Sequence, residues 1–208
     1  MFAALVAAAA AGCRQPKPMA PGEFQVAPAY AALFKPYERW TYHVANAPAD
    51  AAAAEPAEGE DEDAHSVVVK CQADEVKPFS GGITSHIKCN LPTEIGDETG
   101  AFPVEGIWMA NPSGVWHVPP GAAPSLDNAT LILAARPSEG HVAPEDLTGN
   151  DQYAEVAKDG DAWCTTHKAQ LDVENYLTLC FAPEGVRSGR YGYKDSTVHE
   201  TRFELARE

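Results

Sequence analysis

The side chains with the most distinctive chemistry in this chain are its five cysteines: Cys13, Cys71, Cys89, Cys164 and Cys180. A cysteine thiol can form a disulfide, ligate a metal ion or carry a covalent modification. Redox dithiols and zinc knuckles place two cysteines two residues apart, and the sequence has no Cys-x-x-Cys pair. The spacing therefore favours structural disulfides. Because the number of cysteines is odd, one of them must have another role.

Cys13 differs from the others because it follows directly on an apolar N-terminal segment. Residues 1–12 carry no ionisable side chain, and the chain becomes polar immediately after Cys13. Twelve helical residues span about 18 Å, which is far less than the roughly 30 Å of a hydrocarbon core. The segment is therefore typical of an export signal rather than of a membrane-spanning helix.

The residues Ala10, Ala11, Gly12 and Cys13 resemble the lipobox of bacterial lipoproteins. In that family the signal is removed, and the cysteine is lipidated and becomes the new N-terminus. The resemblance implies a lipoprotein signal at 1–12 and a palmitate-type anchor on Cys13. It also implies a place in the cell envelope, with the outer membrane favoured and the soluble domain in the periplasm or at the surface. The proline-rich residues 13–28 then predict a flexible tether.

The other four cysteines form an even set, as expected in a compartment that permits disulfides. Their order along the chain favours Cys71 with Cys89 and Cys164 with Cys180 among the three pairings that four cysteines allow. Residues 77–82, with two glycines, predict a turn centred near Ser80, which places Cys71 opposite Cys89 on the core face. The second pair is symmetric about Asp172. Its Cys180 alternates with Leu177, Leu179 and Phe181, so this bridge should lie on the less buried face.

The elements that position these cysteines are predicted to be short antiparallel strands. Trp40, Tyr42 and Val44 recur with period two, and later segments do the same between closely spaced turns. We expect residues 29–208 to form a single mainly β domain, an antiparallel meander folded into a curved sheet or a partly open barrel. At most one or two short helices are expected, one at 29–34. Residues 46–64, with six carboxylates between Glu55 and Asp63, predict a disordered acidic loop; its spacing lacks an ordered calcium-loop pattern.

A second hairpin is predicted around the turn formed by Asn111, Pro112, Ser113 and Gly114. Trp108 and Trp116 flank it symmetrically, so we expect them to pack across the strands, either as a core or rim pair or as a ligand or partner surface. With Gly106, this Gly-x-Trp…Pro-x-Gly-x-Trp hairpin resembles that of uncharacterised β-rich envelope lipoproteins. Strand order and composition are also faintly similar to the lipoprotein carriers of the Lol pathway, whose curved sheet encloses a lipid-binding cavity.

The sequence contains no catalytic motif, so no catalytic residue is assigned and an enzyme is disfavoured. No pair with metal-ligand spacing occurs among the seven histidines, so no metal site and no cofactor are expected. The histidines are at positions 43, 65, 86, 117, 141, 167 and 199.

The net charge of −15 disfavours binding to nucleic acid or to anionic lipid headgroups, so membrane attachment should come from acyl chains on Cys13. The sequence therefore predicts a lipid-anchored envelope protein with a non-enzymatic structural or partner-binding role, the partner being an envelope protein or a lipid. The alternative is a carrier or sensor of an acyl ligand held in a curved-sheet cavity. Its motivation is the supply of aromatic residues on the strands.

Overall fold

The computed structural model describes residues 25–48, 66–79, 81–91, 102–142, 153–168, 176–194 and 198–206. The predicted signal segment, Cys13 and most of the predicted tether lie outside these residues, as does the predicted acidic loop beyond Pro48. Within the described ranges, no helix combines the length and the apolar character needed to span a bilayer.

The described chain is mainly β-structure. The short predicted helix is a 3-10 helix, Pro28–Phe34, and Leu126–Asn128 forms one further 3-10 turn. In chain order the strands are β1 (Arg39–Pro48), β2 (Ser66–Ala73), β3 (Lys77–Phe79), β4 (Gly82–Asn90), β5 (Gly106–Asn111), β6 (Gly114–Val118), β7 (Thr130–Ala134), β8 (Gly140–His141), β9 (Tyr153–Asp159), β10 (Ala162–Lys168), β11 (Tyr176–Ala182), β12 (Gly185–Lys194) and β13 (Val198–Leu205).

All thirteen strands belong to one antiparallel sheet, ordered β7-β6-β5-β4-β2-β1-β13-β12-β11-β10-β9-β8, with β3 pairing only β4. The first and last strands pair with each other, so both lie in the middle of the sheet. The two edges are β7 and β8, which are not hydrogen-bonded to one another. This is the predicted antiparallel meander, and the sheet is not closed.

The β7 edge nevertheless comes close to the inner face of β10. A ring nitrogen of the buried His167 on β10 lies 3.1 Å from the backbone carbonyl oxygen of Ile132 on β7. The opposite edge, β8, has only two residues. A covered edge and a very short edge are two ways in which proteins prevent unwanted strand pairing.

The inner face of the rolled sheet holds the hydrophobic core. Trp40, Tyr42 and Val44 point inward from β1, as their alternation predicted. Leu33 and Phe34 of the 3-10 helix belong to the same core, which draws side chains from both ends of the sheet order. The curved sheet therefore encloses one continuous core, to which the 3-10 helix also contributes.

The structure corrects the sequence prediction at two kinds of position. β1 continues to Pro48, which faces His199 on β13, so residues 46–48 are strand and not part of an acidic loop. The sequence pattern also did not indicate β8, β9 or β12 as strands, and residues 77–79, expected in a turn, form β3. In β12 the reason is composition, because Gly185, Gly189 and Gly192 interrupt the apolar alternation by which strands are recognised.

A candidate ligand-binding groove

Both predicted disulfides are present between directly facing strand positions. Cys71 on β2 faces Cys89 on β4 with the two Cα atoms 4.1 Å apart. Cys164 on β10 faces Cys180 on β11 at 3.9 Å. Facing residues in an antiparallel pair are the positions whose Cα separation best suits a disulfide. Each pair thus joins the two strands that bracket its own turn or loop.

The two disulfides lie on opposite faces of the sheet, as their parity predicted. Cys71 is 2% exposed, and its partner Cys89 packs against the core. Cys164 and Cys180 are only partly buried and alternate with the core residues Leu179 and Phe181. The inner disulfide therefore contributes to the core, whereas the outer disulfide lines a surface groove.

The predicted pairing of Trp108 with Trp116 is wrong. The turn places only Pro112 and Ser113 between the facing residues Asn111 and Gly114, so an even-numbered position faces an odd-numbered one throughout this hairpin. Trp108 consequently faces His117, and the two tryptophans lie on opposite faces of the sheet.

The burial of the two tryptophans shows that they do not form one shared surface. Trp108 is fully buried, and its indole nitrogen donates a hydrogen bond to the Val104 carbonyl at 2.9 Å. Trp116 is partly buried in a small cluster with Met109 and Val118, and its indole nitrogen donates to the Asn111 side chain at 3.2 Å. Of the two tryptophans, only Trp116 has exposed surface that a partner could contact.

The His117 imidazole is held between Trp108 and the backbone directly before β5. Its ring centroid lies 4.6 Å from that of Trp108, and its Nε2 lies 2.8 Å from the carbonyl oxygen of Glu105. Burial lowers the pKa of His117 from 6.5 to about 4, although the hydrogen bond to Glu105 acts in the opposite direction. The neutral ring therefore belongs to the folded state at pH 7, with Nε2–H as the donor to Glu105.

This pKa shift predicts that acid destabilises the fold through His117. Between pH 6.5 and about 4 the unfolded chain binds a proton at this residue that the folded chain does not, so stability falls as pH falls through that window. The full shift corresponds to a loss of about 3 kcal/mol by pH 4. The free energy of unfolding, measured with urea between pH 7 and pH 4, should therefore fall more steeply with decreasing pH for the wild type than for His117→Gln. Parallel curves for the two proteins would contradict the prediction.

The groove lies on the outer face of the six neighbouring strands β1, β13, β12, β11, β10 and β9, and has a volume of about 980 Å³. Strands in a sheet are about 4.8 Å apart, so six strands give the groove a length of about 24 Å across the sheet. Its lining consists of two rows of facing residues. The first, here called the cystine row, is His43, Glu204, Ser188, Cys180, Cys164 and Ala157. The second, the arginine row, is Ala45, Arg202, Arg190, Thr178 and Thr166.

The arginine row carries two cations in direct cross-strand register, Arg190 on β12 and Arg202 on β13. The Arg202 guanidinium binds the carboxylate of Glu200, with 2.5 Å between Nε and Oε1. Arg190 instead lies over the Tyr176 ring in a cation–π contact, its guanidinium carbon 5.7 Å from the ring centroid. Beyond Arg190 in the row, the hydroxyls of Thr178 and Thr166 are hydrogen-bonded to each other at 2.9 Å.

A second charged cluster ties two turns together at the end of the sheet. Arg187 binds Asp161 at 2.7 Å and Glu184 at 2.6 Å, and these bonds hold the pKa of both carboxyl groups below its ordinary value. Both carboxylates are thus engaged in ion pairs.

Among the described residues, no three His, Cys, Asp or Glu side chains are arranged to hold a metal ion.

No protein-family model matches this chain, and no curated protein matches it in sequence. The candidate site is the outer groove, and of its lining residues only Cys164 and Cys180 were predicted from the sequence to have a role. The cystine row could be anticipated in part, because parity put Cys164 and Cys180 on the outer face. The facing of Arg190 with Arg202 depends on β12, which the sequence pattern did not indicate.

Proposed function

We propose that this protein is a lipid-anchored component of the bacterial cell envelope with a non-enzymatic structural or partner-binding role. The observation that carries the proposal is the cysteine distribution. Cys71, Cys89, Cys164 and Cys180 are all used in disulfides within the fold, which leaves Cys13, in its lipobox-like context, as the one cysteine outside them. A lipoprotein signal requires a free thiol at that position.

The disulfides also support export. Structural disulfides persist in oxidising compartments such as the periplasm and are rare in the bacterial cytosol. Two of them in one sheet agree with a signal segment that carries the chain across the inner membrane. Charge supports an acyl anchor rather than electrostatic attachment, since a net charge of −15 is repelled by anionic headgroups.

Metabolic labelling tests the anchor directly. In cells expressing the full chain with a labelled palmitate precursor, we expect the wild type to carry the label and to sediment with membranes. Cys13→Ser should lose both properties. As a matched control, the double variant Cys164→Ala with Cys180→Ala removes two other cysteines and should remain labelled. An unlabelled wild-type protein in the soluble periplasmic fraction would refute the proposal.

The alternative, a carrier or sensor of an acyl ligand inside the curved sheet, stays a prediction. Six aromatic residues on the strands motivated it; of these, Trp116 is only partly buried, and the other five are buried in the core: Trp40, Tyr42, Trp108, Phe181 and Phe203. Their packing against one another and against the 3-10 helix accounts for them without a ligand.

A further inference from the structure

The groove on the outer face contains two arginine side chains at positions where like charges repel each other. Arg190 and Arg202 face each other directly on adjacent antiparallel strands, and both side chains lie on the outer face. Facing residues have Cβ atoms about 4.5–5.5 Å apart, and like charges in such a pair destabilise the sheet. The pair lies on two adjacent strands in the middle of the sheet, where the register of both strands fixes it.

Only one of the two cations is neutralised by a carboxylate. Arg202 binds Glu200, which is itself buried and accepts a hydrogen bond from the Tyr176 hydroxyl. Among the residues that the structure describes, Arg190 contacts the Tyr176 ring and no carboxylate. Its five N–H donors are therefore not used by an ion pair within the described sheet.

The Tyr176 ring holds the Arg190 guanidinium from one side. The ring lies over Gly192, where a Cβ atom would come within 2.5 Å of the ring carbon Cε1. Gly192 thus allows Tyr176 to lie flat on the sheet next to Arg190, with its hydroxyl on Glu200. A cation–π contact with an aromatic ring uses none of the N–H groups of a guanidinium, so they remain available for a ligand.

We propose that the groove binds an oxyanion, a carboxylate or a phosphate group of a larger ligand, between Arg190 and Arg202. Planar guanidinium groups bind both kinds of oxyanion in a bidentate manner. The Ser188 hydroxyl, two residues before Arg190 on β12, also lines the groove and can donate to the same ligand. The groove extends about 24 Å across the strands, so it accommodates a ligand much longer than the oxyanion itself.

Glu204 in the cystine row determines which charge the ligand can carry next to its oxyanion. It lies on the outer face of β13, two residues from Arg202 and therefore about 7 Å along the strand. A second anionic group at that position would be repelled, whereas a hydroxyl or an amino group would be accepted. The site therefore favours ligands that pair one oxyanion with a neutral or cationic neighbouring group over ligands that carry two separate anionic groups.

Titrations with small probes, followed by NMR chemical shifts of the isotope-labelled protein, test this site. Inorganic phosphate, glycerol 3-phosphate and acetate are added at matched ionic strength with sodium chloride as the reference. We expect saturable shifts confined to residues of β11, β12 and β13 for at least one of these anions. Which probe saturates at the lowest concentration distinguishes a phosphate from a carboxylate ligand.

Substitutions in the groove test whether the anion binds at Arg190. Arg190→Gln should weaken binding at least tenfold, and Glu204→Gln should strengthen it severalfold by removing a nearby negative charge. The matched control is Arg136→Gln, an exposed arginine beyond β7 that should leave binding unchanged. In the absence of an anion, Arg190→Gln should melt at the same temperature as the wild type, because Arg190 forms no ion pair within the described sheet that the substitution would remove. Shifts that do not saturate, or that persist unchanged in Arg190→Gln, would overturn the proposal.

Discussion

Replacing Cys71 and Cys89 together by alanine should lower the free energy of unfolding by about 3–5 kcal/mol, more than the same replacement of Cys164 and Cys180. The two disulfides span similar sequence separations, 18 and 16 residues. Chain entropy therefore assigns each of them about 3 kcal/mol. The difference must come from the surroundings of the sulfur atoms.

The inner disulfide contributes packing that the outer one does not. Cys71 is 2% exposed and Cys89 packs against the same core, so their truncation removes buried apolar area and leaves a cavity. Cys164 and Cys180 are partly exposed in the groove, where solvent can occupy the space. We expect the inner pair to cost about 1 kcal/mol more than the outer pair.

Guanidinium unfolding of the two double variants measures this difference. Both should be made in a Cys13→Ser background with the unsubstituted Cys13→Ser protein as reference, so that no acyl chain or free thiol interferes. Double rather than single substitution avoids leaving an unpaired cysteine. An outer variant that is equally or more destabilised would contradict the assignment of the inner disulfide to the core.

The parts of the fold that could be predicted from the sequence are those fixed by local parity. Cys71 and Cys89 bracket a glycine-containing turn at nearly equal distance, and that distance alone sets their register. The same reasoning failed at Trp108 and Trp116. It assumed that the two tryptophans face each other across the turn, whereas the true pairing register differs by one residue. A turn with two residues between the facing positions pairs 108 with 117, and one residue of register moves a side chain to the other face.

The groove could not be predicted because its residues are brought together by several strands that are distant in sequence. His43 and Glu204 face each other only because β1 pairs with β13, a pairing that no local pattern encodes. Arg190 joins them through β12, whose glycines hide its strand character. Those glycines are not neutral interruptions, since the structure gives Gly189 a steric role in the core.

Gly189→Ala should destabilise the protein by about 1–3 kcal/mol, and Phe203→Ala by about 3–5 kcal/mol. Phe203 faces Gly189 across β12 and β13, and a Cβ atom on residue 189 would lie 2.4 Å from Cζ of that ring. Phe203 is 2% exposed and cannot move aside, because its ring centroid lies 4.8 Å from that of Phe102 and 5.6 Å from that of Tyr42. Gly189 is not among the glycines with positive φ, so the effect is steric and not one of backbone strain.

A double-mutant cycle separates this clash from a general cost of substitution in β12. In the Phe203→Leu background the side chain ends short of Cζ, so Gly189→Ala should cost at least 1 kcal/mol less than in the wild type. Some cost should remain, because the added Cβ would also lie 2.7 Å from the Thr178 carbonyl oxygen. Ser188→Ala, the neighbouring position on the outer face, is the matched control and should change stability by less than about 0.5 kcal/mol. Urea unfolding gives the free energy of unfolding of all four proteins in the cycle. If the losses caused by Gly189→Ala and Phe203→Leu are additive, the Phe203 ring is not the reason that residue 189 must be glycine.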